Sequence, residues 1–393
     1  MASIATATPA AMQSRSTEEQ VLAALDDARE RTLELVTGLG EDDLAKVHSP
    51  IMSPLAWDLG HIAAYEDLWL AHRHAGLELL RPELAGLYDA FETPRAVRGD
   101  IEVLAPADAR TYMREVRERA AAAITQRGVG DGSVCEMVVR HELQHSETMR
   151  QTLAIAGLLP AGEPPPILSE PSALPRSGTA GDGTTEGASD WIEISAGSFA
   201  MGAEDTGFAY DNERPRHTVA LDAFQIARRP VSAASWMRFS EGGGYERREW
   251  WSDEGWAWKQ EHDITRHPAV ATGAPDTPAC HVSWFEADAF ARAHGARLPS
   301  EAEWERAATS AQGTLAQVGR VWEWTNSAFG GYPGFVAYPY REYSEVFFGN
   351  AYRVLRGGSW ATSPRVKTVT FRNWDLPQRR QIFAGVRLAR EVS

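Results

Sequence analysis

The 393-residue chain has only two cysteines, Cys135 and Cys280. Two thiols make no disulfide framework, so the fold is expected to stand without cross-links and to suit a reducing cytoplasm. No run of about 18 uninterrupted apolar residues occurs, which argues against a membrane-spanning helix. The opening stretch MASIATATPAAMQSRSTEEQ lacks a basic segment followed by an apolar core, and reads as a frayed tail rather than a signal peptide. Positive charge is scarce: 39 Lys and Arg stand against 54 Asp and Glu, a formal net charge of −15. That balance argues against nucleic acid as a partner. Repeats with a period of roughly 20–50 residues are also absent, so a solenoid or propeller is not expected.

Hydrophobic residues make up 43% of the chain, enough to bury a core. The length exceeds one ordinary core and suggests two domains. The two parts differ in texture. Residues 15–158 carry four segments with helical spacing of apolar residues: STEEQVLAALDDARERTLELVTGL with a Ser/Thr cap, SPLAWDLGHIAAYEDLWLAHRHAG, APADARTYMREVRERAAAAITQRG and GSVCEMVVRHELQHSETMRQTLAIAG. Four such helices suggest a bundle. Residues 159–190 are rich in Pro, Gly, Ser and Thr without periodicity and read as a linker. Residues 191–393 hold twelve of the 14 tryptophans, with helices expected at SWFEADAFARAHG and SEAEWERAAT. The rest reads as short strands and long loops, held by aromatic clusters and buried loop hydrogen bonds.

The stretch VVRHELQHSETM contains His141 and His145 spaced as H-E-x-x-H. Four residues apart on a helix, the two rings share a face and can bind one metal. The spacing also matches a zinc peptidase with Glu142 as general base, but no third ligand follows shortly downstream, so that signature is incomplete. Upstream, His61 sits among Leu55, Leu59 and Ile62 and should point inward. By itself it reads as a satisfied core histidine. Beside a histidine pair on another helix, a three-histidine site explains more. Such a set suits zinc, or iron(II) with open positions for dioxygen and substrate. His72 and His74, at the end of the same helix, read as surface residues.

The segments FAMGAEDTGFAYDNERPRHTVALDAFQIARRPVS, HVSWFEADAFARAHGARLPSEAEWERAA, VWEWT and VLRGGSWAT resemble the formylglycine-generating-enzyme (sulfatase-modifying factor) fold, an α+β, C-type-lectin-like domain with little regular structure. The first part resembles the DinB-type four-helix bundle with a three-histidine metal site. Together, in this order, they resemble the ergothioneine-biosynthetic sulfoxide synthases. The resemblance implies an iron(II)- and O2-dependent enzyme. It would join the sulfur of a thiol, γ-glutamylcysteine in the actinobacterial type, to the imidazole carbon between the ring nitrogens of Nα-trimethylhistidine (hercynine), and oxidise it to a sulfoxide. A sister family uses a selenosugar and makes selenoneine. Formylglycine-generating enzymes proper use a cysteine pair after the Gly-Gly-Ser motif; here RGGSWATSPRVKTVTFRN has none, so sulfatase activation is not expected.

The resemblance also implies roles. His61, His141 and His145 would bind iron. Gln144, Asn373 and Trp374 would contact hercynine, whose trimethylammonium favours an aromatic face and whose carboxylate needs amide donors. Arg95, Asp375 and Arg379 would hold the thiol substrate through its carboxylate and amine. For Arg95 and Arg98 the alternative is a pair of solvated loop charges. Tyr340, first choice, and Tyr343 are candidate active-site tyrosines that deliver a proton or hydrogen atom; Tyr332 and Tyr338 lie nearby. One departure stands out: residues 309–320, TSAQGTLAQVGR, are shorter than the corresponding stretch of relatives, which bears on the sulfur or selenium donor.

Overall fold

Good helix formers run further toward the N-terminus than the Ser/Thr cap at residues 16 and 17 suggested. The computed structural model, which describes residues 9–160, 191–267, 276–311 and 314–392, begins with α1 (Pro9–Leu35). Ala, Met, Gln and Arg carry the helix past the expected cap. After a short α2 (Glu41–Ala45) comes α3 (Leu55–Glu66), preceded by Pro54, whose missing N–H costs nothing at a helix start. The helix continues as a π-helical stretch, Asp67–His74, so the expected second helix is one element with two windings. The third and fourth helices are α4 (Pro106–Arg127) and α5 (Ser133–Ala156). The latter stops at Gly157, whose φ of 70° closes the helix in the left-handed region that glycine tolerates best.

The chain divides into two units, Met1–Ala161 and Gly162–Ser393. The segment expected as a linker lies, from residue 161 on, outside the described residues. In the first unit α3 packs on α4 and α5, and α1 on α5. Leu55, Leu59 and Ile62 join Leu35, Val36, Leu44, Tyr112, Met113, Val116, Met149 and Leu153 in one core. Cys135 of α5 is buried, and neither cysteine forms a disulfide. Among the described residues no helix is long and apolar enough to cross a membrane.

Each long helix also contributes one charge to a buried cluster. Arg29 of α1 meets Glu66 of α3 at 2.6 Å and Glu142 of α5 at 2.8 Å. Arg117 of α4 meets the same Glu66 at 2.6 Å and Glu142 at 3.4 Å. Burial would raise the Glu66 carboxyl, but the two guanidinium groups more than offset it and hold the group below its ordinary value. A depressed folded-state value means that this stabilisation is complete at neutral pH. It is lost in acid, as pH falls past the unfolded-state value toward the lower folded one. Glu142→Gln leaves both arginines short of an anion. It is expected to lower the unfolding free energy by on the order of 3 kcal/mol, with metal content of the folded protein unchanged. Urea unfolding and metal analysis check this; metal loss at wild-type stability would contradict it.

The second unit has nine short strands among its described residues: β1 (Trp191–Ile194), β2 (Gly197–Met201), β3 (His217–Leu221), β4 (Phe224–Ala227), β5 (Trp322–Phe329), β6 (Gly349–Arg356), β7 (Asn373–Asp375), β8 (Ala384–Gly385) and β9 (Ala389–Glu391). They form sheets ordered β1-β4-β9, β2-β3 and β7-β6-β5-β8, antiparallel except for β5 with β8. Between them lie α6 (Ala233–Glu241), α7 (Asp253–Glu261), α8 (Trp284–Ala293) and α9 (Glu301–Ala308). The first two were not marked in the sequence. Ser283 and Ser300 cap α8 and α9 with reciprocal bonds to Glu286 and Glu303.

Indole N–H groups hold the loops: Trp284 donates to the Thr325 carbonyl, Trp324 to Val282 and Trp251 to Gly244. Three fully buried arginines are each paired: Arg387 with Glu323, Arg372 with Glu301, Arg356 with Glu305. In the short 309–320 stretch, Leu315 enters the core beside Trp304 and Ala307.

Candidate metal centre

α3 carries His61 and α5 carries His141 and His145, one turn apart. One ring nitrogen from each lies within 4.8 Å of the others. His61 is buried, and the two α5 histidines are half-buried. The Nε2 atoms of His61 and His141 are 3.2 Å apart.

Two of the three outer nitrogens are tied down. His61 Nδ1 lies 2.6 Å from the Tyr88 carbonyl oxygen, which can only accept, so the proton sits on Nδ1 and Nε2 keeps its lone pair. His145 Nδ1 lies 3.2 Å from Oδ1 of the buried Asp58, which fixes that ring in the same sense. The rings are also held by stacking: His61 on Trp57 at 4.7 Å and 13°, His141 on Tyr65 at 3.6 Å and 11°. Burial, then neighbouring His145, hold His61 and His141 well below the ordinary histidine range, so both are neutral at physiological pH. Three imidazoles converging from two helices are a donor set that zinc or iron accepts.

Gly60 makes this fit possible. A Cβ built there would come within 2.1 Å of the Tyr88 ring. Gly60→Ala must therefore displace Tyr88, whose carbonyl orients His61. The expected cost is about 1–3 kcal/mol of stability, together with weaker metal retention. A wild-type thermal midpoint and metal content would contradict this.

Several supports escaped the sequence reading: Trp57, Asp58, Tyr65 and the Tyr88 carbonyl. Asp58 had a signal, an acid inside the apolar stretch SPLAWDLGH. Arg98 does not fit the alternative of a solvated loop charge. It is buried, its guanidinium lies 3.5 Å from the Trp57 ring centre, and it donates to the Thr93 carbonyl and Ser53 Oγ. Loop charges bury when carbonyls and a ring face satisfy them. Arg95, at the start of the 3₁₀ turn Arg95–Val97, is exposed. Gln144 is half-buried between the α5 histidines. His72 and His74 are half-buried and bond the carbonyls of Leu77 and Gly128. Glu142 faces Arg29 and Arg117, committed to the ion cluster rather than poised as a general base.

In the second unit, Tyr340 precedes the 3₁₀ turn Arg341–Tyr343 and Tyr343 ends it, both half-buried, with ring centres 6.1 Å apart. Tyr343 stacks on Tyr210 at 4.5 Å and meets Trp374 edge-on at 6.0 Å. Trp374 stacks on Phe329 at 4.1 Å. β7 carries Asn373, Trp374 and Asp375 and brings Trp374 beside Tyr343, and Arg379 Nε lies 3.8 Å from Asp375 Oδ2. Asn373 Oδ1 accepts from the Trp374 N–H. Tyr332 is a core residue, buried beside Phe199 and Met201 under Arg372, whereas Tyr338 is exposed.

A family model for the DinB superfamily matches residues 24–149, and one for the sulfatase-modifying factor enzyme 1-like domain matches residues 177–318 and 310–392. Hercynine oxygenase from Mycolicibacterium thermoresistibile is 40% identical over 94% of each chain. That from Mycobacterium tuberculosis is 40% identical over 95% of this chain and 99% of its own. The formylglycine-generating enzyme of Streptomyces coelicolor is 33% identical over 44% of this chain and 58% of its own. The likeness to the hercynine oxygenases thus spans bundle and second domain alike, which neither a peptidase nor a sulfatase activator would require, and the chain belongs to the hercynine oxygenase family of oxidoreductases.

Proposed function

We propose that the protein is an iron(II)- and O2-dependent sulfoxide synthase that joins γ-glutamylcysteine to hercynine. The observation carrying this reading is the convergence of His61, His141 and His145, with the outer nitrogens of His61 and His145 fixed, in a chain of this family. Iron bound there would activate dioxygen and gather the donor sulfur beside the imidazole. The balance is closed: one thiol hydrogen and the imidazole C–H hydrogen leave with one oxygen atom as water, and the other oxygen ends on sulfur.

The chain's own groups bind and orient. Gln144, Asn373 and Trp374 take hercynine: with Asn373 Oδ1 spent on the Trp374 N–H, its Nδ2 is the donor end for a carboxylate, and the indole suits the trimethylammonium. Arg95, Asp375 and Arg379 take the thiol substrate by its carboxylates and amine. Tyr340, with Tyr343 beside it, supplies a proton from its hydroxyl.

The test is aerobic incubation of iron-loaded protein with hercynine and, separately, γ-glutamylcysteine, cysteine or a selenosugar, read by mass spectrometry. A hercynyl sulfoxide from γ-glutamylcysteine is expected. Coupling to the selenosugar instead would assign the protein to selenoneine formation, and no coupled product from any donor would overturn the reading.

A further inference from the structure

The loop carrying Tyr340 and Tyr343 is fastened at both ends by one carboxylate. Asp211 Oδ2 accepts from the Tyr338 N–H at 3.4 Å, and Oδ1 accepts from the Ser344 hydroxyl. The same hydroxyl accepts from Asn212 Nδ2 at 3.0 Å. Asp211, Asn212 and Ser344 are all buried. One residue earlier, the Tyr210 ring stacks on Tyr343.

The anchor is itself bolted to the core. Arg372 Nη1 donates to the Asn212 carbonyl at 2.6 Å while its Nε and Nη2 hold Glu301. Glu213 accepts from the Tyr210 N–H at 2.9 Å and from the Thr370 hydroxyl at 2.6 Å. Residues 210–213 are thus a fixed post, and segment 338–344 spans between its two attachments on Asp211. A single carboxylate sets the path of the backbone that carries both tyrosines.

We propose that Asp211 is a positioning residue for the reaction, acting through segment 338–344 to hold Tyr340 where its hydroxyl can serve. This rests on the role given to Tyr340 above. Proton delivery depends steeply on distance, and a misplacement of about 1 Å can cost roughly 100-fold in rate. An amide replaces this carboxylate only in part. With its NH2 toward Tyr338 that attachment is lost; with its NH2 toward Ser344 the hydroxyl must accept a second bond beside the one from Asn212 and turn its own hydrogen away, so a charge-assisted bond gives way to a weaker neutral one while shape is kept.

Two variants of the full-length protein, Asp211→Asn and the milder Ser344→Ala, test the idea by two readouts. The first is amide hydrogen exchange, which needs no turnover. Exchange at residue 338 and at 340–344 should rise about tenfold or more in Asp211→Asn, with the rest of the second unit as protected as in wild type. The second is kinetic. The rate of sulfoxide formation should fall between about 10- and 100-fold with little change in KM for hercynine, and the product should shift toward oxidised thiol. On a Tyr340→Phe background Asp211→Asn should cost little more, since both act through one hydroxyl. Unchanged loop exchange in both variants overturns the proposal, as does faster exchange with wild-type rate and product ratio. Should wild type form no sulfoxide, the functional reading fails, while the exchange result still decides whether Asp211 holds the loop.

Discussion

Alanine at His61 is expected to empty the metal centre and abolish turnover. The residue supplies one of three nitrogens, and that nitrogen is the best prepared of them, with its ring stacked on Trp57 and its Nδ1 proton held by Tyr88. Losing a supporting contact alone costs a metal site about 10- to 100-fold in affinity, so loss of the ligand itself should exceed the upper figure. Asp58→Asn tests the support without removing a ligand. It should fall within the 10- to 100-fold window, since His145 keeps its place but loses its anionic partner. Metal analysis after dialysis against a chelator, with circular dichroism to confirm the bundle, separates these outcomes. Full iron occupancy in His61→Ala would sink the assignment.

Tyr340→Phe is expected to slow sulfoxide formation strongly and to leave iron and hercynine affinity nearly unchanged. Only a hydroxyl goes; the ring and its edge-on contact with Tyr343 remain. A phenol is protonated at neutral pH and can give a proton without charging the site. Without it, oxygen consumption should be diverted to the thiol alone, which takes both oxygen atoms as a sulfinic acid. Rapid quench with mass spectrometry measures the ratio of the two products. If Tyr343→Phe changes that ratio and Tyr340→Phe does not, the proton comes from Tyr343. That ring lies between Tyr210 and Trp374.

The heart of the metal centre was legible because its signals are local. Four-residue spacing puts His141 and His145 on one face, and the apolar neighbours of His61 turn it inward. The Ser-x-x-Glu pattern at Ser283 and Ser300 likewise announces α8 and α9. What was not legible depends on partners far along the chain. Tyr88 reaches His61 across 27 positions, and Asp58 reaches His145 across 87. Arg29, Glu66, Arg117 and Glu142 each look like ordinary surface charges on their own helix. Only the assembled bundle makes them mutual partners in its interior. The burial of Arg98 was not legible for the same reason: its partners are a carbonyl and a ring face, which leave no trace in a residue pattern. The loop holding Tyr340 could be located by resemblance, but its fastening to Asp211, 133 positions from Ser344, could not.

The most direct test strips the protein of metal and reconstitutes it separately with iron(II) and with zinc. Each form is then incubated aerobically with hercynine and γ-glutamylcysteine. A coupled sulfoxide formed only by the iron form, with one O2 consumed and one oxygen atom retained per product, is the predicted result. Equal coupling with zinc, or oxygen consumption by the iron form that never yields a carbon–sulfur bond, would contradict it.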